Sequence, residues 1–146
     1  MLTRPVELTD LPAVQTLLRG SGLPTAGVVT HRDGFLLAEE AGELLAVTGV
    51  EVHGQVGLLR SVTVHSSSRS RGVAARLIAQ AITLAQQRGL SDLYLLTTTA
   101  ELYFPRFGFQ VLVRSAAPAA LQSSAEFQGA CPASATLMHL SLQEEL

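Results

Sequence analysis

A chain of 146 residues with 47% apolar and only 15% charged side chains is expected to fold as one compact domain, residues 1–146, rather than to stay disordered. Its net charge of −2 argues against a nucleic-acid partner, and a single cysteine excludes both an internal disulfide and a multi-cysteine metal centre. The sequence has no apolar run of transmembrane length and no basic-then-apolar leader, so a cytoplasmic protein with no membrane partner is expected.

Leu2–Val6 reads as a short first strand. Asp10 is placed to cap a helix with Pro12 in its first turn and Leu11, Val14, Leu17 and Leu18 on its apolar face; Gly20-Ser21-Gly22 ends it. Leu23–Gly34 has no clear period and reads as a loop with a helical turn. Phe35–Glu40 and Glu43–Gly54 read as strands joined by a tight Ala41-Gly42 turn, and the next strand, Leu58–Val64, is apolar and rich in β-branched residues. His65–Arg71 is polar and cannot continue it. From Val73, apolar residues recur at Leu77, Ala81, Leu84 and Ala85, one face of a helix that stops at Arg88-Gly89. Asp92–Thr99 reads as a buried strand, and the intervening helix makes it parallel to Leu58–Val64 through a right-handed crossover. A short helix at Ala100–Phe107, a strand at Phe109–Arg114, a loop at Ala117–Pro132 and a last strand at Ser134–Leu142 complete the order. The fold class expected is α/β, a mixed sheet flanked by helices in the order β-α-βββ-α-β-α-ββ.

The turn before the second helix carries the clearest chemistry. Gly72 and Ala74 have almost no side chain, so a pyrophosphate can approach the first-turn N–H groups, which lack intrahelical partners and lie at the positive end of the helix dipole. Arg69 and Arg71 are expected to add charge beside them, and Ser70 and Val73 complete the turn. The spacing Arg69-Ser-Arg-Gly72-Val-Ala74 resembles the acetyl-CoA signature, Gln/Arg-x-x-Gly-x-Gly/Ala, of the Gcn5-related N-acetyltransferase superfamily, whose element order also matches. Tyr103–Phe109 resembles the superfamily's helix ending in Gly-Phe. The run Tyr94–Phe109, followed by Glu126-Phe127 and Cys131–Ala135, is similar to one branch, the arsenic-resistance N-acetyltransferases and short N-acetylglutamate synthases.

That resemblance implies a mostly antiparallel sheet with two splayed parallel central strands and acetyl-CoA, as co-substrate, lying in the opening. Val62, Thr63 and Val64 would pair with the pantetheine amides, the Arg69–Ala74 turn would take the pyrophosphate, and Thr98 and Phe104 would lie against the cofactor. The implied activity is direct acetyl transfer to the amine of a small amino-acid-like substrate. The alternatives are a non-catalytic acyl-CoA-binding domain and a transferase for a peptide or protein acceptor. In many members a tyrosine four residues before the Gly of Gly-Phe protonates the thiolate; here that position is Phe104. Tyr103, one residue earlier, is the candidate acid or else a packed aromatic; a regular helix would turn it about 100° away, but Pro105 opposes a regular helix. Glu51, beside the cofactor strand, is the candidate base or else a solvent-facing carboxylate.

Arg60 is read as sharing a strand face with Leu58, Val62 and Val64, where an unpaired charge is costly. It either pairs with a core carboxylate or clamps a substrate carboxylate in bidentate fashion. Ser61 and Thr98 or Thr99 are expected to add substrate hydrogen bonds, with Thr99 alternatively a helix N-cap. Arg114 and the Ser123–Phe127 stretch resemble the branch's second-half motif and are expected to close over a substrate or else to make a subunit contact. Cys131 is read as a half-buried structural thiol rather than a nucleophile. His31, His53, His65 and His139 show no metal-ligand spacing, so no metal is expected. The apolar C-terminal strand and low charge are compatible with a homodimer.

Overall fold

A computed structural model describes residues 1–69, 71–132 and 134–142. Their alternating apolar residues build one seven-stranded sheet: β1 (Leu2–Pro5), β2 (Phe35–Glu40), β3 (Glu43–His53), β4 (Val56–Val64), β5 (Asp92–Thr97), β6 (Gln110–Leu112) and β7 (Thr136–Ser141). The spatial order is β1-β2-β3-β4-β5-β7-β6. Every neighbouring pair is antiparallel except β4 and β5, which the crossover helix makes parallel. The mixed α/β sheet is therefore the one expected from the element order, and its mostly antiparallel pairing is the one the resemblance implies.

Period two along the strands sorts side chains to two faces, and a helix covers each. Helix α1 (Leu11–Gly20) buries Leu11, Val14 and Leu18 against Phe35, Leu37 and Val47. On the opposite face, α2 (Val73–Gln87) buries Val73, Leu77, Ile78, Ala81 and Ala85 against Ala38, Ala46, Val50, Leu59, Leu93 and Leu95. Each of the larger side chains contributes roughly 1.5–3 kcal/mol of transfer free energy when fully buried. The 114–130 segment completes the α1 side, with Leu121 packed against Leu58, Tyr94 and Leu137. No helix among the described residues is long and apolar enough to cross a membrane.

Four local expectations change. Asp10 stands at the N-cap position of α1 but makes no side-chain cap bond; its carboxylate binds Arg4 at 2.7 Å and accepts the Glu7 N–H. Residues 100–107 do not form an α-helix: a turn leads into a single 3-10 turn, Phe104–Phe107, because Pro105 removes a backbone donor. Strand β5 stops at Thr97, and β6 spans only Gln110–Leu112. Finally, β4 carries a bulge. Val47 pairs with Thr63 and Gly49 with Arg60, so Ser61 and Val62 together oppose Thr48, and Ser61 takes the left-handed conformation at φ 61°. The extra residue reverses the alternation beyond it. Arg60 keeps the face of Leu58, but Val62 and Val64 turn to the α2 side, where they pack on the Leu59 and Val73 clusters.

Candidate active site

Pairing between β4 and β5 covers only Val56–Leu58 against Asp92–Tyr94. Beyond that point the two strands splay, and backbone groups of β4 that face β5 lose their strand partner. A cavity of about 500 Å³ opens there, walled by Leu59–Val62 on one side and Leu95–Ala100 on the other. Leu23, Val62, Thr99 and Tyr103 border both this cavity and a second one of about 590 Å³ that runs to the N-terminus of α2. The two are therefore sections of one cleft.

The outer section is shaped by Gly72, which holds φ 74° as the N-cap of α2. A Cβ built on it meets nothing within 4 Å, so the approach to the helix N-terminus is open. The N–H groups of Val73, Ala74 and Ala75 precede the first intrahelical bond, which runs from Arg76 N–H to the Gly72 carbonyl. Val62, Thr63, Val64, Arg69, Gly72, Val73 and Ala74, the residues read from sequence as facing acetyl-CoA, line this section. Ser70 lies outside the described residues. Arg71 departs from expectation: it turns away and pairs with exposed Glu40 at 3.1 Å. Its place in the wall is taken by Arg106, which the sequence reading missed; its guanidinium stacks 4.1 Å from the Tyr103 ring centroid and its Nε donates to the Tyr103 carbonyl. A diphosphate would thus meet Arg69, Arg106 and a helix N-terminus, a donor set suited to it.

The inner section ends on buried charge. The Arg60 side chain is fully buried and its Nη1 donates to Glu51 Oε2 at 2.6 Å. Nη1 also donates to the Ala26 carbonyl, Nη2 to the Pro24 carbonyl and Nε to Ser61 Oγ. Among the described residues this leaves one N–H of the guanidinium without a protein acceptor. Of the two roles read from sequence, the core ion pair is the one formed; a bidentate clamp lacks the donors, although Arg60 does border the cavity.

Glu51 is placed differently from the base expected. Its carboxylate is buried behind the cavity wall, where His53 Nε2 lies at 2.8 Å from Oε1 and Ser124 Oγ donates at 3.0 Å. Burial alone would raise its pKa, but the hydrogen bonds of Arg60 and His53 and the charges of Arg60 and His31 together hold it below the ordinary carboxylate value. Glu51 is an anchored anion, not a proton acceptor. The fold also gathers His31, Glu51 and His53, whose ligand atoms lie within 4.8 Å of one another, a grouping that sequence spacing did not show. The Arg60 cation beside Glu51 opposes a second cation there, and the contacts present are those of an ion-paired network.

From sequence, Glu126 is only part of the Ser123–Phe127 stretch expected to close over a substrate or make a subunit contact, with no chemical role of its own. It is 4% exposed, borders the inner cavity, and lies 3.6 Å from Arg60 Nε. Burial is the main cause that pushes its carboxyl up to about 7; Arg60 and a hydrogen bond with the Cys131 thiol oppose the shift, and Glu51 adds to it. The Cys131 thiol, half-buried in the same wall, is pushed up to about 11 by burial and by Glu126, which makes it a poor nucleophile. Nothing periodic in Ala117–Pro132 distinguishes Glu126 from a solvated loop carboxylate.

Around this core, Thr98 and Thr99 line the cavity from the end of β5, and Thr97, not Thr99, caps the following turn by accepting the Ala100 N–H at 3.0 Å. Phe104 is buried edge-to-face against Phe109 and forms part of the cavity wall. Tyr103 stands at the junction of the two sections, edge-on to Phe104 and Phe107, and since it precedes a 3-10 turn the regular-helix argument against it does not apply. Ser61 is buried and accepts from Arg60. Arg114 lies outside the cavity wall, stacked 5.2 Å from the Phe127 ring centroid and donating to the Ala135 carbonyl.

Solved structures share this architecture. N-acetylglutamate synthase from Neisseria gonorrhoeae, complexed with coenzyme A and N-acetyl-glutamate, superposes with a TM-score of 0.84 at 20% identity, covering 98% of this chain and 35% of the synthase, so this chain spans about a third of that protein. Rv2747 from Mycobacterium tuberculosis, in complex with CoA, gives 0.81 at 17% identity over 98% of this chain and 100% of its own. The ribosomal-protein-S18-alanine N-acetyltransferase from Escherichia coli gives 0.73 at 16% identity over 99% and 96% of the two chains. No curated protein sequence matches the chain. The acetyltransferase (GNAT) family model matches residues 11–109, which hold α1, the splayed strands, the glycine turn and the Gly108-Phe109 pair, and the chain belongs to that family.

Proposed function

We propose that the protein transfers the acetyl group of acetyl-CoA directly to the amine of a small amino-acid-like substrate. The observation that carries this reading is the single cleft joining a basic helix N-terminus to a buried Arg60–Glu126 end across the splay of β4 and β5. The diphosphate of CoA fits the outer section and the pantetheine arm runs as an added strand along Val62–Val64, satisfying the backbone groups that β5 leaves. The acetyl carbonyl then lies by the Ser61 bulge, where backbone N–H groups outside the regular ladder can hydrogen-bond the developing oxyanion.

The amine nitrogen attacks the thioester carbon, the C–S bond breaks, and the thiolate takes a proton. Tyr103, bordering both sections, is the donor in this scheme. A thiol pKa of roughly 8.5 makes that help modest. Arg60, buried at the cavity end, offers a substrate carboxylate its positive field rather than a direct clamp, which favours an α-amino acid or an analogue of one. N-acetyl-glutamate in the similar Neisseria gonorrhoeae structure accords with this class, as does the resemblance to arsenic-resistance N-acetyltransferases and short N-acetylglutamate synthases.

The test is thiol release from acetyl-CoA, screened against free amino acids, their phosphinic and arsenic analogues, polyamines and short peptides, with amine-free controls. Amine-dependent release with an amino acid supports the reading. Release only with peptides moves the acceptor to a macromolecule, and tight acetyl-CoA binding with no release points to a non-catalytic acyl-CoA sensor.

A further inference from the structure

Among the described residues, the cavity wall holds one carboxylate, Glu126, with no fixed counter-charge at hydrogen-bond distance. Glu51 and Glu126 both belong to the surroundings of Arg60, yet they are held differently. Glu51 takes the guanidinium at 2.6 Å and accepts from Ser124, behind the wall. Glu126 lies in the wall, 3.6 Å from Arg60 Nε, and among the described residues no nitrogen donates a hydrogen bond to its carboxylate. The charged and titratable groups that act on it are Arg60 from β4, Glu51 from β3 and Cys131 from its own segment. Its backbone is fixed by Ser124 Oγ, which accepts the Glu126 N–H, and by the Cys131 N–H bond to the Glu126 carbonyl.

We propose that Glu126 is the catalytic base that accepts a proton from the incoming ammonium. This inference rests on the N-acetyltransferase reading. The ammonium loses one proton to the Glu126 carboxylate and becomes a nucleophile. Its nitrogen then bonds to the thioester carbonyl carbon and the C–S bond breaks. Tyr103 gives its proton to the CoA thiolate and is reprotonated by the second proton shed by nitrogen, and Glu126 returns its own to solvent. A carboxyl that titrates near neutrality exchanges protons at working pH, which an anchored anion such as Glu51 does not.

The experiment is the pH profile of kcat at saturating acetyl-CoA and amine, together with calorimetric acetyl-CoA affinity. The wild-type profile falls with decreasing pH through an apparent pKa of about 7. Glu126→Gln lowers kcat by about 100-fold or more and abolishes that limb, with acetyl-CoA affinity unchanged. Cys131→Ala keeps the limb but moves it to higher pH, because the thiol hydrogen bond that favours the carboxylate is gone. Turnover by Glu126→Gln within threefold of wild type, or a limb that neither variant moves, overturns the assignment. Should Glu126→Gln fail to fold, the Cys131→Ala limb decides alone. A wild-type protein that binds acetyl-CoA yet releases no thiol with any amine overturns the transferase reading and this one with it.

Discussion

Replacing Arg60 by methionine tests whether the buried charge cluster organises this end of the fold. The guanidinium and the Glu51 carboxylate are both essentially inaccessible, at 0% and 1% side-chain exposure, so the variant strands a carboxylate that solvent cannot reach. Removing one partner of such a pair costs about 3–5 kcal/mol. In a chain of this size that lowers Tm by roughly 6–20 °C. In the wild type, Glu51 has a depressed folded pKa, so its contribution is present above its ordinary value of 4.5 and is lost as pH falls through the lower folded value. In Arg60→Met burial goes unopposed by its main partner and the folded pKa rises above the unfolded one. The destabilisation is then full at high pH and fades as pH falls toward the unfolded value. Urea unfolding at pH 8 and pH 4.5 measures both ends. The double variant Arg60→Met/Glu51→Gln regains at least half of the loss, since the amide oxygen still serves Ser124 and no charge is stranded. A single-variant cost under about 1 kcal/mol, below the range for a buried pair, or strict additivity in the cycle refutes the reasoning.

Three further outcomes follow from the cleft. Arg69→Ala and Arg106→Ala each weaken CoA binding about tenfold, as expected for lost charge-assisted hydrogen bonds, whereas Arg71→Ala, whose guanidinium is held by Glu40, leaves it within twofold; calorimetry across a salt series checks this. Gly72→Val costs about 1–3 kcal/mol from its left-handed backbone and raises the CoA Kd well beyond what that stability loss implies, because the open space over Gly72 belongs to the ligand; unchanged affinity would place the diphosphate elsewhere. Tyr103→Phe keeps CoA affinity and the ring contacts but lowers kcat, with the largest effect toward alkaline pH, where hydronium to protonate the thiolate is scarce; a kcat equal to wild type removes Tyr103 as the donor.

What could be read in the sequence was local, and what could not be read was a matter of parity or distance. The helix face of α2, the glycine turn before it and the parallel crossover to β5 depend on short-range patterns, and each is in place. The Arg60 face was misread beyond Ser61 because alternation assumes a regular strand. One bulge residue reverses every side chain after it, and a serine, unlike a glycine, gives no warning of a left-handed backbone. Arg71 left the site for a partner the local pattern cannot name, Glu40, 31 residues away, and Arg106, given no role from sequence, took its place against the ring of Tyr103. Glu126 was legible as a residue but not as a site. Its burial comes from a segment with no periodicity, folded over β4 by Leu121 and tied to Glu51 through Ser124.

The arrangement around Arg60 explains why a small domain would bury so many ionisable groups despite the desolvation cost. A single guanidinium faces two carboxylates at different distances, 2.6 Å to Glu51 and 3.6 Å to Glu126, and that difference separates their chemistry. The shorter contact, supported by His53 and Ser124, holds one carboxylate below the ordinary carboxylate value and keeps the guanidinium immobile. The longer contact only partly offsets burial, so the second carboxyl stays close to its protonation midpoint near neutral pH. Had Arg60 lain equally close to both, each would be an anion of low basicity; had it been absent, burial would push both upward with less to oppose it. The bulge at Ser61 helps fix this asymmetry, because Ser61 Oγ accepts Arg60 Nε–H at 2.9 Å and takes up the donor that points toward Glu126. The same left-handed residue thus interrupts the strand edge and holds the guanidinium that lies beside Glu126.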